Sequence, residues 1–294
     1  MNATHVPDAG RGATRPRRAG SVSRRPRPGA VARFVTVLVV ALVVFFPVYV
    51  AFTSAFTQNG SIARSGIVPN LHELTLENFR QAVTTVDLLP EYLVSVAVVS
   101  LQTFGQLITG ALAAYALVFP RWRGRRLAFG LVLLTLAIPG ESIVIPNYEL
   151  VSRIGLQNTI LGVALPYLAA GYPIFLLRQA FAAVPREIWE AAGLDGSGDL
   201  RTLGTIVVPT CRPQITTAVV WSALAAWNGF FWPLLISNTT ASRTIQVGIS
   251  QLAGEQTAPS VIFAGSILVV APTMILVLVA QRFLVNSFAG SVSR

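Results

Sequence analysis

The sequence contains no lysine: all 22 basic residues are arginine. A P-loop needs a lysine to reach the terminal phosphates of a nucleotide, so this chain carries no Walker A motif and is not by itself a P-loop ATPase. Cysteine and histidine are nearly absent. Cys211, His5 and His72 are the whole inventory, too few for a disulfide framework or a Cys/His metal cluster, and no cofactor is expected. Charge is scarce as well. Charged residues make up 12% of the chain, about half the roughly 25% of a soluble domain whose surface must be hydrated. Apolar residues fill the gap, at 53% with a mean hydropathy of +0.63. The solvent for most of this chain is lipid.

A helix crossing the hydrocarbon core needs about 20 mostly apolar residues, and six segments approach or meet that: Phe34 to Phe56, Tyr92 to Phe119, Leu127 to Pro146, Thr159 to Leu177, Gln214 to Ile236 and Val261 to Ala280. The expected fold is therefore all-α, a polytopic bundle of six transmembrane helices over residues 34–285. Pro139-Gly140 and Glu141 suggest that the third span ends early with its carboxylate at the interface, and Pro166 and Pro173 suggest kinks in the fourth.

Arginine placement gives the orientation. Eight arginines precede the first span, four lie between the second and third, four between the fourth and fifth, and two follow the sixth, against four in the remaining loops. The positive-inside rule then puts both termini in the cytoplasm, with residues 286–294 as a short tail. Residues 1–33, rich in Arg, Pro, Gly and Ser, cannot bury a core and are expected to be disordered. Arg24-Arg25 is a poor twin-arginine signal, because Pro26-Arg27-Pro28 is not an apolar start and the next span is too long. The tail reads as a topology anchor near anionic headgroups, with no nucleic-acid partner. On the opposite side, the loop from Thr57 to Glu91 is long enough for a small cap. In it Leu74 to Phe79 reads as a short amphipathic helix with Thr75 as N-cap, which is either a surface helix or a docking site for an external protein.

The loop of residues 185–213, on the arginine-rich side, has its own logic. Pro185 suits the first turn of a helix, Ile188, Trp189, Ala191 and Ala192 supply an apolar side, and three glycines between Gly193 and Gly198 break it. Leu200, Leu203, Ile206 and Val207 fall on one face of a second short helix, which Pro209 is expected to stop. Small Ala191, Ala192 and Gly196 allow another backbone to approach, and Glu190, Asp195 and Asp199 offer acceptors to a basic partner. Read from the residues alone, the same loop is also an interfacial hairpin with its acids capping helix N-termini.

The order Glu190-Ala191-Ala192, three residues, Gly196, nine residues, Ile206-Val207-Val208-Pro209 resembles the EAA loop of ABC importer permeases. Asp195 before the glycine and Pro213 after the proline extend the match. Val208 for leucine, Leu203 for an aromatic and Ser197-Gly198 for Ala-Ser are small departures. The resemblance implies that Glu190, Ala191, Ala192, Asp195, Gly196, Ile206 and Pro209 belong to a coupling element that docks on a separate ABC ATPase dimer, where ATP is bound.

Downstream, Trp227-Asn228-Gly229-Phe230-Phe231-Trp232-Pro233-Leu234 resembles the Trp-Asn-x-Phe-x-x-Pro-Leu segment of carbohydrate permeases of the maltose-transporter type, as its second permease. Ile138-Pro139-Gly140, Leu165-Pro166-Tyr167 and Phe175 to Gln179 extend that likeness, and related permeases have a Glu-Asn-Phe segment like Glu77-Asn78-Phe79. The implied function is that of a permease subunit in an ATP-driven sugar importer of the bacterial inner membrane. Its implied partners are a second permease subunit and an extracytoplasmic sugar-binding protein. It would not be an enzyme.

Trp227, Asn228, Phe230 and Phe231 are candidate substrate-path residues, since aromatic faces cover the apolar side of a pyranose and an amide pairs with hydroxyls. Equally, Asn228 could join helices and the tryptophans could mark the interface belt. A membrane serine protease fails on inventory, because Ser266 has no histidine partner in the spans. A secondary transporter or channel is the alternative from another class. It would place ionisable residues inside the bundle, where only Glu141 and Glu149 come near.

Overall fold

A computed structural model describes residues 28–58, 71–254 and 257–292. Helix α1 covers Pro28–Phe56, so the last residues of the expected tail, 28–33, are helical; Pro28 supplies the fixed φ favoured at a helix start. The rest of that tail lies outside the described residues. The chain divides into two units after Val48. In the first unit, Val35, Leu38, Leu42 and Phe45 are all exposed, and a helix apolar on every side belongs in lipid.

The second unit begins with the end of α1 and the cap that follows it. The first helix of the cap, α2, is Glu77–Thr85. It starts later than Thr75 would set, although the Glu77 N–H donates to Thr75 Oγ1 at 3.1 Å. Asn78 turns inward. Its Nδ2 donates to the Ala55 and Thr57 carbonyls at 2.9 and 2.7 Å, satisfying acceptors that the end of α1 leaves open. Beside it, Phe79 packs on Phe56 with centroids 4.8 Å apart. The central helix is α3, Leu88–Val118. Next come α4, Arg125–Ala137, and α5, Val144–Arg153, joined through a 3-10 turn at Gly140–Ile143 and bent by 99°. The third expected span is thus broken at Pro139-Gly140.

The fourth span is α6, Ile160–Ala164, a 3-10 turn at Leu165–Tyr167, and α7, Gly171–Ala182, bent by 47°. Pro173 causes no kink, because it sits in the first turn of α7, where its missing N–H has no intrahelical acceptor to satisfy. Small residues on α3 let α7 approach: a Cβ added at Gly110 would stand 3.4 Å from both Pro173 and Leu177. Close backbone contact through small residues is the usual way helices associate in lipid, where no hydrophobic force separates them from the solvent.

The loop region folds as α8, Arg186–Leu194, and α9, Asp199–Thr202. A π turn at Leu203–Val207 then leads into α10, Val208–Thr210, and α11, Arg212–Trp227. Pro209 therefore does not stop the helix. The Val208 N–H donates to Leu203 O, five residues back, and this widened turn gives the proline ring room that a tight α ladder denies it. After a break at Asn228–Phe230 come α12, Phe231–Ile236, α13, Ile245–Leu252, and α14, Pro259–Val292. The last helix runs on through most of the expected C-terminal tail.

The six expected segments are all helical, but among the described residues only three are single helices long and apolar enough to cross a membrane: Ala32–Phe56, Leu88–Val118 and Pro259–Val279. Two more are the bent pairs. The remaining one, the fifth, is divided between α11 and α12 by the break before Phe231. No strand occurs among the described residues. The core is three clusters around α3: Tyr115, Phe119, Phe181 and Val207 at the arginine-rich end, and two that share its other half, one with Val94, Val163 and Trp232 and one with Leu88, Trp227, Ile245 and Leu252.

Candidate functional site

At the arginine-rich end, α8 closes with a backbone device that requires glycine. The Gly196 N–H donates to Gly193 O at 3.1 Å and the Ser197 N–H to Ala192 O at 2.9 Å, while Gly196 adopts φ +76°. This is the Schellman pairing of a helix end, with glycine at the left-handed position. The turn lifts Leu194 away from the bundle, 90% exposed. Glu190, Ala191 and Asp195 are exposed beside it, Ala192 is buried, and Ile206 and Pro209 are half-buried. Of the expected apolar face on the second helix, Leu203 and Val207 are buried but Leu200 is not.

The hairpin is fastened to α3. Trp189 Nε1 donates to Tyr115 Oη at 2.8 Å, and that hydroxyl donates to Asp199 Oδ1 at 2.9 Å, so one residue of α3 grips both arms. Trp189 also stacks on Phe119 with centroids 5.9 Å apart, and Arg186 Nη2 donates to the Phe119 carbonyl at 2.7 Å. Asp199 thus braces the hairpin, while the N-cap position of α9 is Gly198, with no side-chain cap bond. A groove of about 370 Å³ lies in the hairpin between Trp189, Glu190, Gly193, Leu194, Asp199 and Thr202. Glu190 meets Arg186 only at 3.9 Å, with 56% of its side chain exposed, so its charge remains open to a partner. A knob with an exposed apolar tip, fixed by aromatic contacts to a spanning helix, can pass a push along that helix.

The second candidate region is a cavity of about 380 Å³, lined by Asn228, Phe230 and Phe231 together with Gln102, Glu141, Tyr167 and Trp232, among others. Trp227 is not in it. That indole is 8% exposed, donates to the Val269 carbonyl at 3.2 Å and packs against Tyr92, while its own carbonyl accepts from Gln246 Nε2. It holds the helices together. Trp232 Nε1 and Gln102 Nε2 both donate to the Val163 carbonyl, at 3.1 and 3.2 Å, which fixes one wall. Asn228 Nδ2 donates to Leu224 O at 2.8 Å. Gln102 and Tyr167 were not legible as lining residues, because no local pattern separates an inward amide from a structural one.

A bundle of apolar helices, an exposed hairpin braced to one of them and a cavity whose apolar lining carries a few polar groups are the parts of a membrane transport subunit. The profile of the family "Binding-protein-dependent transport system inner membrane component" matches residues 106–289, and the chain belongs to that family. It is a permease subunit of an ABC importer, and not an enzyme. The chain is 28% identical over 277 residues to the sn-glycerol-3-phosphate transport system permease protein UgpE of Brucella suis biovar 1 (strain 1330), covering 90% of this chain and 97% of that one. To the protein of the same name from Yersinia pestis bv. Antiqua (strain Antiqua) it is 28% identical over 270 residues, covering 87% and 95%.

Among solved structures, a bacterial ABC transporter involved in the import of the acidic polysaccharide alginate superposes with a TM-score of 0.76 at 21% identity, covering 88% of this chain and 98% of that one. The alginate transporter in complex with alginate pentasaccharide-bound periplasmic protein gives a TM-score of 0.63 at 15% identity, covering 86% and 92%. Both share the fold.

Proposed function

We propose that the chain is one of two permeases that together enclose a path for an uncharged saccharide in a bacterial inner membrane. In this reading an extracytoplasmic binding protein delivers the sugar. A dimeric ATPase, which alone binds ATP, docks on the hairpin at Glu190, Ala191, Ala192, Asp195 and Gly196, and both termini are cytoplasmic. The observation that carries the substrate class is the lining of the larger cavity. It offers aromatic faces from Phe230, Phe231 and Tyr167 and amides from Gln102 and Asn228, and among the described residues its only charged member is Glu141. Aromatic faces with amide hydrogen bonds suit a sugar ring. A phosphate or a uronate would call for basic donors instead. The relatives' names mention such anions, but this lining favours a neutral cargo.

The test is reconstitution. The chain alone in liposomes should give no ATP-dependent uptake. The chain with its second permease, ATPase and binding protein should take up a neutral oligosaccharide and leave glycerol-3-phosphate and alginate oligosaccharide outside. Uptake by the chain alone, or preference for either anion, would end this reading.

Orientation is tested with impermeant maleimide. A cysteine at Gly254 should label in intact cells, and one at Leu194 only after permeabilisation. Native Cys211 should stay silent in both, since it is 4% exposed and burial pushes its thiol above its usual range, which suppresses the reactive thiolate. Labelling at Leu194 in intact cells would invert the topology. Of the other positions suited to this experiment, Gly10, Gly60 and Ser293 lie outside the described residues.

A further inference from the structure

We propose that the arginine-rich ends of α3, α4, α7 and α8 form a binding site for the phosphate headgroup of an anionic phospholipid. A cavity of about 220 Å³ opens there, with Arg125, Arg178 and Arg186 in its lining alongside apolar Leu117, Phe119 and Val184, and with no carboxylate among its described lining residues. The three guanidinium groups come from three different helices, and each is held in place by contacts that use only part of its donor set. Arg178 Cζ lies 4.5 Å over the Phe129 ring and Arg186 Cζ lies 5.8 Å from the Trp189 ring. Arg186 Nη2 donates to Phe119 O at 2.7 Å, Arg125 Nη1 to Val118 O at 3.5 Å, and Arg178 Nη1 to Gln179 Oε1 at 3.3 Å.

Donors are left over. The Nε atoms of Arg178 and Arg186 are both buried without a hydrogen-bond acceptor. The nearest carboxylate oxygen to the second of them, Glu190 Oε1, is 3.9 Å away, beyond hydrogen-bond length. Unpaired buried donors on converging like charges are costly, and an anion with several acceptor oxygens removes both costs. The planar guanidinium fork matches phosphate geometry.

Location favours a lipid over free phosphate. The cavity sits where spanning helices end, the level at which headgroups lie, and Leu127 and Leu131 are exposed on α4 just past Arg125, offering an apolar track for acyl chains. Anionic lipid also concentrates beside arginine-rich segments. A headgroup here would touch both the bundle and α8, and so brace the hairpin that Tyr115 already grips.

The full chain, purified in a neutral detergent, is titrated separately with short-chain phosphatidylglycerol, short-chain phosphatidylcholine and inorganic phosphate. Native mass spectrometry and the thermal midpoint are read together. Phosphatidylglycerol should be retained and raise the midpoint, and phosphatidylcholine should do neither. Arg125→Gln and Arg178→Gln should each weaken retention at least about tenfold, the scale of one charged hydrogen bond. Arg178→Lys, which keeps the charge and loses the fork, should fall between, and Arg153→Gln, at an exposed residue far from the cavity, should bind as the parent does.

If the Gln variants do not fold, the Lys variant still decides, since parent-level retention by it would overturn the site. Equal stabilisation by inorganic phosphate would overturn the lipid assignment in favour of a free anion. Unchanged lipid retention with lost ATPase binding would overturn it in favour of a partner's acidic side chain.

Discussion

Replacing Gly196 by isoleucine should lower ATP-driven uptake and substrate-stimulated ATP hydrolysis together, by about tenfold or more, while the chain still inserts and the binding protein keeps its sugar affinity. The cause is the backbone. Gly196 holds φ +76°, and a Cβ added there would meet nothing within 4 Å, so a clash cannot explain an effect. A left-handed conformation costs an ordinary residue about 1–2 kcal/mol, and a β-branched side chain makes it a rarer state still. Relief of that strain would undo the bonds to Gly193 and Ala192 and move Leu194, and about 1.4 kcal/mol of misplacement is a factor of ten. Gly196→Asn, which tolerates the left-handed region, should keep most activity. Glu190→Lys reaches the same phenotype by another route, since like charges facing across an interface can cost several kcal/mol. Wild-type uptake and stimulated hydrolysis in both the isoleucine and the lysine variants would make the hairpin a passive element.

Gly248→Val should lower stability, because the glycine is what makes room for a buried carboxylate. Glu91, fully buried near the start of α3, pairs through Oε1 with Arg243 Nη1 at 3.4 Å. A Cβ at Gly248 would stand 1.6 Å from Glu91 Oε2, so valine is admitted only if the Glu91 carboxylate turns away and its pair with Arg243 is disturbed. Arg243→Gln should cost about 3–5 kcal/mol, since it strands the carboxylate. Glu91→Gln combined with Arg243→Gln should recover most of that loss, because neither partner is then charged. Thermal midpoint and monodisperse yield of the purified chain measure all three, and a Gly248→Val protein as stable as the parent would contradict the packing described.

The two cases also mark how far the sequence could be read. The hairpin was legible because its signals are local: an apolar face followed by glycines at fixed spacing dictates a helix end within a few residues. Pro209 misled, since a proline normally stops a helix and nothing in the sequence announces that a π turn would accommodate it. Trp227 misled differently. Asn228, Phe230 and Phe231 of its segment line the cavity, but which aromatic faces it depends on the break at Asn228–Phe230, and Trp227 falls on the packed side. The pair of Glu91 and Arg243 spans 152 positions, and its members looked like ordinary residues near helix ends. Asn78 reads in the sequence only as one residue of a short amphipathic helix, whereas its amide serves the end of α1.

That amide has company at the same place. Thr57 and Leu74 form an antiparallel bridge, and the Thr75 N–H donates to the Phe56 carbonyl at 2.7 Å, so the chain is clasped at the base of the segment between them. A clasped loop answers to its ends and hardly to its length: each doubling adds only about 0.6 kcal/mol of closure entropy. A peptide epitope inserted between Thr57 and Leu74 should therefore cost this clasp little, and would give a handle for capturing the protein.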